Sequence, residues 1–164
     1  MAEIWDIVDS EGRDTGLRVS RDGGNIPDGL YHPCVEIWVR VGDRLLITHR
    51  HPDKHEGLKY DVPGGAVISG ESITVGAVRE LSEEVGILAD ADSLVPLGVM
   101  TNGNVYAVSY LLCLELLPAL SLQPTEVVGY RLVTKEQLEA MMDDLTWGTK
   151  NRYSIYKDKI FVQK

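Results

Sequence analysis

Between Gly65 and Ile87 the chain reads GAVISGESITVGAVRELSEEVGI, a glycine-headed loop running into a segment of helical periodicity. On a helix from about Ile73 to Val85, at roughly 100° per residue, Ala77, Val78, Leu81 and Val85 gather on one side. Glu80, Glu83 and Glu84 fall on the adjoining arc at i, i+3 and i+4, where side chains are neighbours. One face is therefore built for a core and the next carries three carboxylates. Like charges at this spacing destabilise a helix unless something positive sits among them. A hard divalent cation with oxygen ligands meets that need, and Mg²⁺ suits it better than zinc, which favours His or Cys. Ahead of the helix, Pro63-Gly64-Gly65 makes a tight turn at which backbone can approach a ligand closely.

A glutamate-rich helix face is ordinarily no more than a solvated surface. That explanation leaves Gly65, Glu71 and Gly86 in fixed register unaccounted for. Together with Arg79, Glu80, Leu81, Glu83, Glu84 and Ile87 they fill all nine specified positions of the Nudix box, and the chain closely resembles a Nudix hydrolase. The resemblance, strongest over residues 31–138, implies an α/β fold: the Nudix α/β/α sandwich with a mixed sheet. It also implies that the Gly64 carbonyl joins Glu80, Glu83 and Glu84 as a metal ligand for Mg²⁺, for which Mn²⁺ can substitute. Arg79 would hold Glu80 in place, braced from below by Glu71. Glu80 or a loop glutamate would take the proton from water. Glu126 precedes a strand at a place where Nudix proteins often supply another acid, and an ordinary turn glutamate is the equal alternative.

Length and composition bound the rest. The 164 residues suit one domain, with 44% hydrophobic and 25% charged residues giving a globular soluble chain rather than a disordered one. A net charge of −9 argues against nucleic acid or an anionic membrane as the main partner, since both call for a basic surface. The opening MAEIWDIVDSEG has neither a basic nor an apolar leader region, and the run Val105 to Leu117 is too short to span a bilayer, so a cytoplasmic location is expected. Cys34 and Cys113 each lie in apolar, strand-like segments and read as buried structural thiols rather than a disulfide.

Ile4 to Val8, a polar turn and Leu17 to Val19 predict an amino-terminal β-hairpin, with residues 21–28 as connector. Residues 1–30 form this extension and 31–164 the core. Val35, Ile37, Val39 and Val41 alternate with Glu36, Trp38 and Arg40, the pattern of a half-buried strand, although Trp38 reads as core. Arg44 to Thr48 is the next strand, and His49 to Tyr60 a loop. Leu94 to Met100 and Val105 to Leu117 flank Asn102-Gly103, a strong hairpin signal. Val127 to Val133 is another strand. Thr134 and Gln137 open a helix with a capping-box pattern, and residues 147–164 read as mixed and partly helical. The hairpin can pair with a second subunit or cap its own sheet edge, so an oligomer stays open.

The loop before the box is the most basic neighbourhood of the chain. Arg50, Lys54, Lys59 and Tyr60 are its candidates for substrate contact, the cations for phosphate oxygens and Tyr60 for either a base or the core. The expected reaction is Mg²⁺-dependent hydrolysis of a diphosphate linkage in a nucleoside diphosphate or its derivative. Two rivals remain. The hairpin and Tyr31-His32 also resemble, more loosely, the isopentenyl-diphosphate isomerase branch, but the stretch ahead of the box, Tyr60 to Gly64, has no cysteine where those enzymes carry one. A regulatory module that binds nucleotide without turnover is the other.

Overall fold

Strand β3, His32–Val41, is the spine of the molecule, and the computed structural model, which describes residues 2–162, shows why. It pairs in parallel over its whole length with β8, Val105–Leu114, from His32↔Val105 to Val41↔Leu114. Its other edge is shared. Near Val41 it turns into antiparallel β4, Arg44–Arg50, while Cys34 to Glu36 pair with the short β6, Gly64–Ala66. β5, Tyr60–Asp61, and β9, Val127–Val133, both flank β4, and β7, Val95–Asn102, closes the far edge against β8. The seven strands make a mixed sheet.

Helices cover both faces. The carboxylate-bearing helix α1, Ile73–Val85, has the bounds expected from its periodicity. Ser72 caps its first turn by accepting from the Val75 N–H, and Gly86, at φ 76°, ends it in the left-handed conformation that favours glycine. Ala77, Leu81 and Val85 pack with Val35, Ile37 and Val39 of β3 on one face of the sheet. On the other, α2, Lys135–Ala140, and α3, Trp147–Ile160, pack over Trp38, Leu45 and Ile47. The capping box of α2 forms as the sequence predicts. The fold is therefore the α/β/α sandwich expected.

Several local expectations change. β3 is not half-buried: Glu36 is 4% and Trp38 0% exposed, because α3 covers the face that would otherwise meet solvent. Residues 147–160 form one continuous helix, with Thr149, Tyr153, Tyr156 and Ile160 buried along a single stripe; Gln163 and Lys164, part of the segment expected to be mixed, lie outside the described residues, as does Met1. Cys113 is exposed rather than core, and Cys34 is only half-buried. The hairpin's β1, Ile4–Val8, and β2, Asp14–Ser20, form a separate two-stranded sheet, with β2 starting earlier than expected. This hairpin caps its own domain. The Ile4 carbonyl accepts from the Ser69 N–H, Val8 bridges to Tyr31, and Trp5 stacks on His32 with ring centroids 4.1 Å apart.

Candidate active site

The β3–β6 pairing sets Gly64 opposite Glu36 and aims the start of the box at α1. Space there demands glycine. A Cβ at Gly64 would lie 2.2 Å from the Val35 carbonyl oxygen, and one at Gly65 would lie 2.5 Å from the Glu80 carboxyl carbon. Gly64 thus lets the loop lie against the β3 backbone, and Gly65 lets it pass directly over the Glu80 carboxylate.

Arg79 organises the outer half of the site. Its guanidinium donates from Nε and Nη2 to the two oxygens of Glu71 at 2.7 and 3.0 Å, and from Nη1 to Glu80 at 2.8 Å and Glu83 at 3.0 Å. Nη2 also reaches the Ala66 carbonyl at 2.9 Å. Burial pulls the Glu71 carboxyl upward, yet the bonds from Arg79 and the Ile68 N–H hold it below its ordinary value. Glu80 goes the other way. Its burial outweighs Arg79, and neighbouring Glu83 and Glu3 add to the rise.

Glu84 is the inner member, buried at 8% exposure. The one hydrogen bond to its carboxylate among the described residues comes from the Gly64 N–H at 2.9 Å. Burial first, then the charges of Asp61, Glu80 and Glu126, push its carboxyl up to about 8 against that single opposing donor. A buried carboxylate crowded by three others is a place where a cation belongs. The donor set is all oxygen, which fits Mg²⁺ or Mn²⁺. Among the described residues no three such side chains yet converge as ligands, because Glu80 and Glu83 turn toward Arg79 and Glu84 toward Gly64.

The candidate substrate contacts in the basic loop are all engaged with the protein. Arg50 donates Nη1 to Asp61 Oδ2 at 2.8 Å and Nε to the His55 carbonyl at 3.1 Å. Lys54 pairs with Glu126, and Lys59 donates to the Asp143 carbonyl at 2.9 Å. Tyr60 stacks on His49 with centroids 4.7 Å apart, and Arg131 lies 5.7 Å over its ring. These bonds brace the loop against β5, β9 and the segment entering α3. Asp61 is the junction, since it also accepts from the Val62 N–H and from the Thr149 hydroxyl.

Beside Gly64 and Gly65 opens a cavity of about 220 Å³ that also takes in Cys34, Glu36, Val105 and Arg152. A larger hollow of about 590 Å³, between Arg40, Thr134 and Phe161, contains none of the box residues. Cys34, which in chain order lies a full strand before the box, is brought beside it because β6 pairs directly alongside, Cys34↔Ala66. Burial pushes its thiol up to about 12, so it stays protonated. Nothing in the sequence singles out Glu36, which reads as the outer side of a strand, or Arg152, which lies in the segment that reads only as mixed and partly helical; the stripe Thr149, Tyr153, Tyr156 and Ile160 that seats α3 emerges with the fold.

Gly65 offers a direct test of this arrangement. In Gly65→Ala the new methyl displaces the Glu80 carboxylate from Arg79. The displaced group is the end of a flexible side chain, so unfolding free energy should fall by only about 1 kcal/mol, while turnover falls at least ~10-fold. Urea unfolding and steady-state assays check both, and undiminished turnover would show that Glu80 needs no fixed position.

A mixed sheet between helices, with a glycine turn laid over an Arg-ordered carboxylate helix, defines the Nudix class of α/β/α sandwich. The NUDIX domain profile matches residues 30–157, and the chain belongs to that family. It is 31% identical over 160 residues to a Nudix hydrolase of Clostridium acetobutylicum, covering 87% of this chain and 75% of that one. An 8-oxo-dGTP diphosphatase of Escherichia coli is 42% identical over 52 residues, 32% of this chain and 40% of the diphosphatase. Of two further curated relatives the match spans only 47% and 40% of their length. Among solved structures, DR0079 of Deinococcus radiodurans superposes with a TM-score of 0.74 at 22% identity, covering 94% of this chain and 99% of that one. Among the described residues no helix is long and apolar enough to cross a membrane.

Proposed function

We propose that the protein hydrolyses a diphosphate linkage in a nucleoside diphosphate or nucleoside diphosphate derivative, using Mg²⁺ with Mn²⁺ as substitute. The observation that carries this reading is Glu84, a buried carboxylate among Asp61, Glu80 and Glu126 with one N–H donor and no countercharge of its own. Glu80, Glu83, Glu84 and the Gly64 carbonyl would hold the ion. When bound, Mg²⁺ supplies neutralising charge for phosphate oxygens and a lowered pKa for attacking water.

The protein's own groups do the rest. Arg79 keeps Glu80 oriented, and Glu80, its pKa already raised by burial, is suited to accept a proton from water. Glu126 is the second acid of the site, set by Lys54. Arg50, Lys54 and Lys59 fix the loop that borders the substrate, and Tyr60 forms part of its wall. The cysteine-free stretch Tyr60 to Gly64 favours hydrolysis over isomerase chemistry. A small-molecule diphosphate, a single domain spanning residues 1–164 and a cytoplasmic setting complete the reading.

A screen over nucleoside diphosphates, triphosphates, dinucleotides and nucleotide sugars, with added pyrophosphatase and phosphatase converting pyrophosphate and phosphomonoester products to inorganic phosphate, tests it. Turnover should appear when Mg²⁺ is added and vanish in EDTA. Saturable nucleotide binding without any product would replace the reading with a regulatory module.

A further inference from the structure

Arg152 and Glu36, 116 residues apart, meet at the floor of the cavity beside Gly64. Glu36 is fixed from three sides: it accepts from Trp38 Nε1 at 2.8 Å, from the Ser109 hydroxyl at 2.5 Å and from Arg152 Nε. The pair is enclosed, with side chains 16% and 5% exposed. The guanidinium lies back over Gly148, one turn earlier on α3, where a Cβ would come within 2.7 Å of Arg152 Nη2. Nη1 and Nη2 have no hydrogen-bond acceptor among the described residues, although Arg152 lines the cavity.

Arg152 therefore lines the cavity with a fork of donors held in place through Nε and free to bond an occupant. Three features say what. The cavity adjoins the two glycines of the box, so its occupant is continuous with a diphosphate held there. Its walls include Val35, Val62, Val105 and Ala107, which suit an organic group. The charge on Arg152 is already matched by Glu36, and Asp61 lies in the same wall, so a further anion meets no net positive field. An uncharged acceptor takes the same N–H bonds without that opposition.

Building on the hydrolase reading, we propose that Arg152 is a specificity-determining residue that donates Nη1 and Nη2 to an uncharged oxygen or nitrogen acceptor on the organic group attached to the diphosphate. Glu36 is its positioning residue. Ser109 and Trp38 hold Glu36, and Glu36 holds the fork.

The test takes the compound with the highest kcat/KM in the nucleotide screen. Arg152→Met should lower kcat/KM about 10- to 100-fold, with the fall residing in KM. Inorganic pyrophosphate, which lacks the organic group, should inhibit wild type and Arg152→Met equally. Since Arg152→Met leaves Glu36 buried and unpaired, the double variant Glu36→Gln/Arg152→Met is measured beside it and should show the same KM defect. Glu36→Gln alone should raise KM by an intermediate factor. An unchanged KM, a loss confined to kcat, or pyrophosphate inhibition that weakens in parallel would overturn the proposal, the last by assigning Arg152 to phosphate. Should wild type hydrolyse nothing in the screen, the hydrolase reading falls, and calorimetric binding of the same nucleotides to wild type and Arg152→Met still decides the role of Arg152. Equal affinity, or binding to neither, overturns it.

Discussion

Glu84→Gln should abolish most of the turnover and at the same time stabilise the metal-free protein at alkaline pH. The side chain keeps its shape and can still accept from the Gly64 N–H, but it loses the charge that would hold Mg²⁺. A loss of about 10³-fold in kcat corresponds to roughly 4 kcal/mol of transition-state stabilisation, the scale expected of a metal-ion contribution. The stability effect has the opposite sign. The Glu84 carboxyl is pushed from 4.5 to about 8 in the folded protein by burial and by Asp61, Glu80 and Glu126. Below pH 4.5 it is protonated in folded and unfolded chains alike, and its neutral form costs the fold little. As pH rises toward 8 the unfolded chain releases a proton that the folded one retains, so stability falls through that window by a few kcal/mol. Urea unfolding in EDTA at pH 6 and 8.5 should show wild type losing stability and Glu84→Gln losing much less. Parallel losses in the two proteins would remove Glu84 as the strained group, and undiminished turnover would sink the metal assignment.

The box helix was legible because every determinant of it is local. Ser72, the apolar spacing of Ala77, Leu81 and Val85, and Gly86 lie within one short stretch and act through neighbours on a single helix. The ties from Arg79 to Glu71 and Glu80 are those the family resemblance implies, whereas the bond to Glu83, four residues along the helix, is an addition of the structure. What failed to show in the sequence depends on long-range pairing. Glu36 reads as the solvent side of an alternating strand until α3 is laid over it. The basic loop reads as free charge because its acceptors are distant or lie on the main chain: Glu126 for Lys54, and the Asp143 carbonyl for Lys59. Cys34 reads as remote from the box because nothing in chain order announces that β6 folds back beside β3. The reaction class is encoded by local register, whereas the chemistry that selects a substrate is assembled by the sheet.

Arg79 is where the site and the fold depend on one side chain, and its removal should produce the largest loss of stability. A guanidinium has five N–H donors, and each finds an acceptor here: two on Glu71, one on Glu80, one on Glu83 and one on Ala66. Arg79 is 21% exposed, while Glu71 and Glu80 are 13% and 15% exposed. Arg79→Ala therefore strands two largely buried carboxylates, at an expected cost of about 3 kcal/mol at pH 7. The exposed Glu83 adds little. Arg79→Lys restores the charge but offers a point donor where a fork is needed, so about 1 to 2 kcal/mol of the loss should remain. The pH dependence separates this from simple loss of packing. Glu71 is held below its ordinary value in the fold, so the stability it contributes is present above the unfolded carboxylate pKa and is lost as pH falls through the folded one. The gap between wild type and Arg79→Ala should accordingly narrow in acid, as both carboxylates accept protons. Denaturant unfolding of the three proteins from pH 7 down to pH 4 measures it. A gap that stays constant over that range would mean that Arg79 supports α1 through packing, and a lysine variant equal to wild type would mean that the fork geometry does not matter.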